Sequence, residues 1–173
     1  MDVFDAIGAR RSIRNYKPDP VEPDDLERIL EAGRLAPSAS NRQEWRFVVV
    51  TDGETRRALS EAANGQGFVA EAPVVLACCA ETDEQTMPCG QLRYPIDLAI
   101  AIENMVLAAW ELGLGTCWVG AFSEGEVKKI LGVPDDIRVV QLLALGRPAE
   151  VPEARPRKPL DEIVRYEKWG GKK

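Results

Sequence analysis

The sequence predicts an α+β domain: a mixed central sheet of about four strands, flanked by helices. Three observations carry this. Short apolar runs at Phe47–Val50, Val74–Ala80, Thr116–Val119 and Val139–Leu145 alternate with segments of helical period. One helix, Ile96–Leu112, is apolar almost all round. From Arg147 onward the chain turns proline-rich, yet it ends in the apolar residues Leu160, Ile163 and Val164, which a free tail would not carry.

Val3, Phe4 and Ile7 have helical spacing, so a short first helix ends near Arg10. Pro18 and Pro20 keep the next stretch extended. Pro23 opens a second helix, with Asp24 and Asp25 in its first turn, where the helix dipole favours them. Leu26, Ile29, Leu30 and Leu35 line its buried face, and Pro37 stops it. After the first strand, Asp52-Gly53 leads into a helix around Glu54–Ala63, and Asn64-Gly65-Gln66-Gly67 breaks it. Pro73 introduces Val74–Ala80, an uninterrupted apolar run and so a fully buried strand. Glu81–Tyr94, with Met87-Pro88-Cys89-Gly90, is an irregular segment of functional length.

Pro95 then suits the first position of the long helix and Gly113 its stop. Its polar residues are Asp97, Glu103, Asn104 and Glu111; Asp97, Asn104 and Glu111 recur at heptad spacing and make one narrow stripe. Such a helix belongs at the centre of a domain or against a partner chain. It is too short and too often interrupted by charge to span a membrane. The strand Thr116–Val119 follows, bracketed by Gly115 and Gly120, a pattern of close backbone approach. Ser123-Glu124-Gly125-Glu126 forms a capping box for a helix bearing Val127, Ile130 and Leu131.

At 173 residues the chain fits one domain, 1–173, with 147–173 as an arm. Its net charge of −6 argues against a nucleic-acid or anionic-membrane surface. The acidic start, Met1-Asp2-Val3-Phe4-Asp5, lacks the apolar core of a signal peptide, so a cytoplasmic location is expected. Cys78, Cys79, Cys89 and Cys117 show no CxxC and no zinc spacing and read as reduced thiols. Histidine is absent. That removes Ser-His and Cys-His nucleophiles, histidine metal sites and a histidine base together. An enzyme built this way takes its hard chemistry from a cofactor.

Four motifs offer binding groups. Arg10-Arg11-Ser12-x-Arg14 places three guanidiniums and a hydroxyl within five residues, matched to phosphate; the alternative is that Arg10 and Arg11 decorate a helix C-terminus. Pro37-Ser38-Ala39-Ser40-Asn41 offers small polar groups to a heteroaromatic edge or a ribityl chain, or is simply a turn. Gly113 to Gly120 has G-x-G-x4-G spacing and runs from helix to strand, the reverse of a dinucleotide-binding turn. It leaves open a strand pressed along a flat ring, or a kinked core strand. Arg155-Pro156-Arg157-Lys158 is a late basic cluster or a solvated linker.

In this order, RRSxR, PSAxN, GLGTCWVGAF and RKPL resemble the FMN-dependent nitroreductase family, closest to its short single-domain members. The likeness runs from Ile7 to Val164 and includes Ala72-Pro73-Val74-Val75 and Leu131-Gly132-Val133-Pro134. It implies a three-layer α+β fold in an intertwined homodimer, with FMN in the subunit interface. Phosphate and ribityl ligands would be Arg10, Arg11, Ser12 and Arg14, joined by Arg157 from the arm. The partner chain would supply Pro37, Ser38, Ala39 and Asn41. Trp118, Val119 and Gly120 would lie against the isoalloxazine, with Asn64 and Gln66 nearby. The arm would pack on the partner subunit.

The activity so implied is hydride transfer from NADH or NADPH through FMN to a small nitro-aromatic, quinone or similar acceptor, by a ping-pong mechanism. No side chain is assigned a catalytic role, and no metal is expected. Other readings within the resemblance are a reductive dehalogenase, a flavin-modifying enzyme, and a non-catalytic flavin-storing or flavin-sensing dimer. Two departures bear on substrate preference. Gln43-Glu44-Trp45 stands where the family usually has Gln-Pro-Trp, and Arg147 stands where an aromatic residue often precedes Pro148.

Overall fold

The computed structural model describes residues 2–171. Four strands form one sheet: β1 (Trp45–Val50), β2 (Val74–Glu81), β3 (Gly115–Val119) and β4 (Ile137–Gly146), in the order β1-β2-β4-β3. The ladders are antiparallel throughout. The sheet's mixed character reduces to one isolated parallel bridge, Ser12 with Thr116.

The helices α1 (Val3–Ala9), α2 (Pro23–Arg34), α3 (Gly53–Ala62), α4 (Gly67–Glu71), α5 (Arg93–Glu111), α6 (Glu124–Leu131) and α7 (Leu160–Ile163) complete the chain. Strand β2 explains the layering. Its residues alternate between faces, and both faces are covered. Leu76 and Cys78 join Ile29 of α2 and Leu98, Ile102 and Met105 of α5 in one core. Val75, Ala77 and Cys79 join Leu59, Val69 and Val127 of α3, α4 and α6 in the other. The result is three layers, helices–sheet–helices. Leu98, Ile102 and Met105 are essentially inaccessible, and such burial contributes about 1.5–3 kcal/mol per side chain. Gly33 lets α2 and α5 approach, since a Cβ there would stand 2.9 Å from Met105 Cγ and Sδ.

Helix α5 begins at Arg93, so Pro95 is its third residue rather than its first. Amide groups throughout the first turn lack intrahelical acceptors, and proline costs little at any of them. The polar stripe of α5 does not act as one surface. Asp97 is buried, Asn104 donates to the Ala32 carbonyl at 3.3 Å, and Glu111 is exposed. Helix α4 is missing from the sequence reading because five residues are too few to establish a period. At α6 the Ser123 hydroxyl accepts the Glu126 amide, whereas the Glu126 carboxylate turns to Lys129 at 2.8 Å; one half of the capping box forms.

Apolar surface is left open in three places. Val3, Phe4 and Ile7 of α1 are exposed, as are Ile96 and Ile100 of α5, which packs on α1. The arm runs out largely exposed, and Leu160 and Ile163 retain 73% and 61% of their accessible surface. Among the described residues no helix is long and apolar enough to cross a membrane.

Candidate functional site

After α1 the chain lies along β3. Ile13 N–H donates to the Thr116 carbonyl at 2.9 Å, and the Tyr16 hydroxyl donates to the Ile13 carbonyl at 2.7 Å. Ile13 sits over Gly115, where any Cβ would collide with it. Along this stretch Ile13 and Tyr16 are buried, and Arg14 is exposed with its guanidinium 5.8 Å above the Phe68 ring. Arg11 behaves differently. Its Nη1 donates to the carbonyls of Gly8, Ala9 and Arg10 at 2.8–2.9 Å and caps α1.

Arg10, Arg11, Ser12 and Arg14 form one wall of a cavity of about 460 Å³. The other wall is the arm, with Glu153, Arg155 and Arg157. Arg10 and Arg14 make no hydrogen bond or ion pair within the described residues, while Arg157 donates to the carbonyls of Arg155 and Pro156. The cavity therefore presents to an anion two guanidiniums, those of Arg10 and Arg14, that no carboxylate among the described residues pairs at ion-pair distance.

Beside it runs the outer edge of β3. The Thr116 carbonyl faces outward to Ile13. Backbone direction alternates along an antiparallel pair, so the N–H and C=O groups of Trp118 and Gly120 face the same unpaired edge. Trp118 is half-buried, Val119 buried and Gly120 exposed. Asn64 and Gln66 each donate a side-chain amide to the Ala121 carbonyl at 3.2 Å, which fixes the corner after the strand. Asn64 itself is left-handed, with φ 58°.

The turn Pro37–Asn41 is built elsewhere. The Ser38 hydroxyl accepts the Gln43 amide at 3.0 Å, and the Ala39 amide donates to both oxygens of Asp97 at 3.1 Å. Ser40, Asn41 and Gln43 all have positive φ, 53°, 55° and 52°. Such backbone costs of order 1–3 kcal/mol per residue and persists only where the surroundings impose it. This turn precedes β1, at the sheet edge opposite β3. Three strand spacings separate the edges, about 14 Å. One chain thus brings Arg10, Arg11, Ser12, Arg14 and Arg157 together beside Trp118–Gly120 and Gln66. It does not bring Pro37, Ser38, Ala39 and Asn41 to them.

This architecture and motif order match known proteins. A model of the Nitroreductase family matches residues 7–86 and 63–147. The chain belongs to the nitroreductase family. It is 36% identical over 195 residues to a Thermus thermophilus NADH dehydrogenase, covering 95% of each chain. It is 30% identical over 185 residues to the FMN reductase [NAD(P)H] of Bacillus subtilis, covering 97% of this chain and 74% of the relative. The crystal structure of a nitroreductase family protein from Clostridium difficile superposes with a TM-score of 0.88 at 34% identity, over 97% of this chain and 99% of that one.

Within this family frame, sequence reasoning missed Phe68 under Arg14, and Asp97 behind Ala39. Asp97 was legible as one member of the polar stripe on the long apolar helix; Phe68 carried no signal. Buried thiols are not reactive groups here. Burial pushes the thiols of Cys78 and Cys117 up, and that of Cys79 to about 11.

Proposed function

We propose that the chain is an FMN-dependent, NAD(P)H-oxidising reductase that works as a homodimer. The observation that carries this reading is the placement of Arg10 and Arg14, neither of them ion-paired among the described residues, beside the open edge of β3. The donor set fits the cofactor. A phosphate dianion matches Arg10, Arg14 and Arg157 with the Ser12 hydroxyl, and a flat ring matches an edge strand ending in exposed Gly120. When bound, FMN supplies hydride exchange between a nicotinamide and a small nitro-aromatic or quinone acceptor. The chain's own groups orient and stabilise. The guanidiniums neutralise phosphate, and the Trp118 and Gly120 N–H groups stand ready for negative charge on a ring edge, as an oxyanion hole does.

The dimer in this reading follows from two features. Pro37, Ser38, Ala39 and Asn41 lie at the far sheet edge, so a second copy is the natural source of that turn at each site. The exposed apolar residues of α1, α5 and the arm offer the surface for it.

The test is direct. Purified protein should be yellow, release FMN on denaturation, and oxidise NADH or NADPH when given an acceptor. Initial-rate lines at several fixed acceptor levels should be parallel, since one open face serves donor and acceptor in turn. Colourless protein that takes up no added FMN would refute the cofactor. Intersecting lines would refute the alternating use of one face. Flavin binding without turnover would indicate a storage or sensing role.

A further inference from the structure

Glu44 stands beside the strained turn and is buried, its side chain only 4% exposed. It closes a ring of four charges. Arg42 Nε meets Glu44 Oε1 at 2.7 Å, and Arg42 Nη2 meets Asp83 Oδ2 at 2.9 Å. Arg93 Nη2 meets Asp83 Oδ1 at 2.6 Å and Glu44 Oε1 at 3.5 Å. The ring joins three segments: the exit of the 37–43 turn, the 82–92 loop, and the first residue of α5. Four residues further along α5, Asp97 holds Ala39. The turn is therefore gripped from both ends by one rigid helix.

The ring is a poor way to gain stability. Glu44 Oε2 and Arg93 Nε are buried with no partner among the described residues. Buried ion pairs repay their desolvation badly, and apolar packing of the same volume is commonly as stable. What the ring does supply is direction, because two forked guanidiniums fix the carboxylates between them. The object directed is Ser40, Asn41 and Gln43, three left-handed non-glycine residues that relax unless held.

We infer that Glu44 and Arg93 are positioning residues that hold the 37–43 turn in the shape that meets the flavin of the partner copy. The inference rests on the cofactor reading above. The turn carries small hydroxyl and amide groups and no cation before Arg42, so it addresses the ring and ribityl parts of the ligand. Its loosening must weaken FMN and riboflavin equally.

The experiment measures both affinities by flavin fluorescence for wild type, Glu44→Gln, Arg93→Gln, and Glu44→Gln combined with Ser40→Gly. Each single variant should lose about tenfold in affinity for both flavins, the size of one charge-assisted hydrogen bond. Glycine tolerates positive φ without a Cβ clash, so Ser40→Gly should recover most of the loss. A merely structural role predicts a lower thermal midpoint with flavin affinities unchanged, and that result overturns the inference, as does a loss for FMN alone. An unrescued double variant also counts against it, because the strain is then not what the ring opposes. Wild-type protein that binds neither flavin removes the cofactor reading and this inference together. Wild-type protein that binds flavin with Glu44→Gln unchanged overturns the inference only.

Discussion

The Asp97 carboxylate accepts the Ala39 amide on both oxygens, each at 3.1 Å, and the aspartate is 5% exposed. A buried carboxylate on a largely apolar helix thus holds the backbone of a turn 58 residues earlier. Asp97→Ala leaves that amide without its acceptor at a cost of about 1–3 kcal/mol. The thermal midpoint should fall by roughly 2–4 °C per kcal/mol, and FMN affinity should fall with it. Asp97→Asn keeps one acceptor oxygen and should recover most of both. An unchanged midpoint in Asp97→Ala would mean the bond contributes nothing.

Arg14 makes its contact with the Phe68 ring and engages no carboxylate among the described residues. If it holds phosphate, Arg14→Ala should lose about ten- to a hundredfold in FMN affinity, or ~1.5–3 kcal/mol. Riboflavin should bind wild type and variant alike. Equal losses for the two ligands would place Arg14 away from the phosphate.

The arm contributes Arg155 and Arg157 to the cavity and leaves Leu160 and Ile163 exposed. Ending the chain after Pro152 removes both features. A ligand that touches two chains stabilises their association by mass action, so the truncated protein should lose FMN and shift toward monomer together in sedimentation. A truncated yellow dimer would make the arm a passive tail.

Asp83 and Glu124 tie the 82–92 loop and α6 to their neighbours. Desolvation pushes the Asp83 carboxyl up, but the Gln85 amide, Arg42 and Arg93 hold it below its ordinary value. For Glu124, desolvation likewise opposes the Arg138 guanidinium and the Val139 amide, and the net shift is downward. A depressed folded-state pKa gives stability that is complete above the ordinary carboxylate value, near about 4, and lost as pH falls through the folded one. The thermal midpoint should therefore hold from pH 7 to about 5 and decline below about 4. Asp83 and Glu124 side chains are 36% and 30% exposed, so each contributes modestly. Asp83→Asn should flatten part of the decline; an identical profile would show that its ion pairs carry no stability.

The sequence by itself determined the four strands and the longer helices. Apolar runs marked β2 and β4, helical spacing marked α2, a long and almost wholly apolar segment marked α5, and Arg10-Arg11-Ser12-x-Arg14 marked one cluster of cations. These are local properties, because a side chain's face follows from its position in a repeat of two or 3.6 residues. Only the tertiary structure decided which strand edges stay open and what crosses between elements. Arg11 and Arg14 look alike in the sequence, yet one turns back to cap a helix and the other overhangs Phe68, a ring brought from a distant helix. Asp97 belonged to a polar stripe until Ala39 came to lie against it, and Glu44, read from the sequence as a departure bearing on substrate preference, is instead buried in a ring with Arg42, Asp83 and Arg93. The placement of Pro37–Asn41 at the edge opposite Trp118–Gly120 follows from the strand order β1-β2-β4-β3. No periodicity within a segment encodes that order, because it is set by how the whole chain buries both faces of β2 at once.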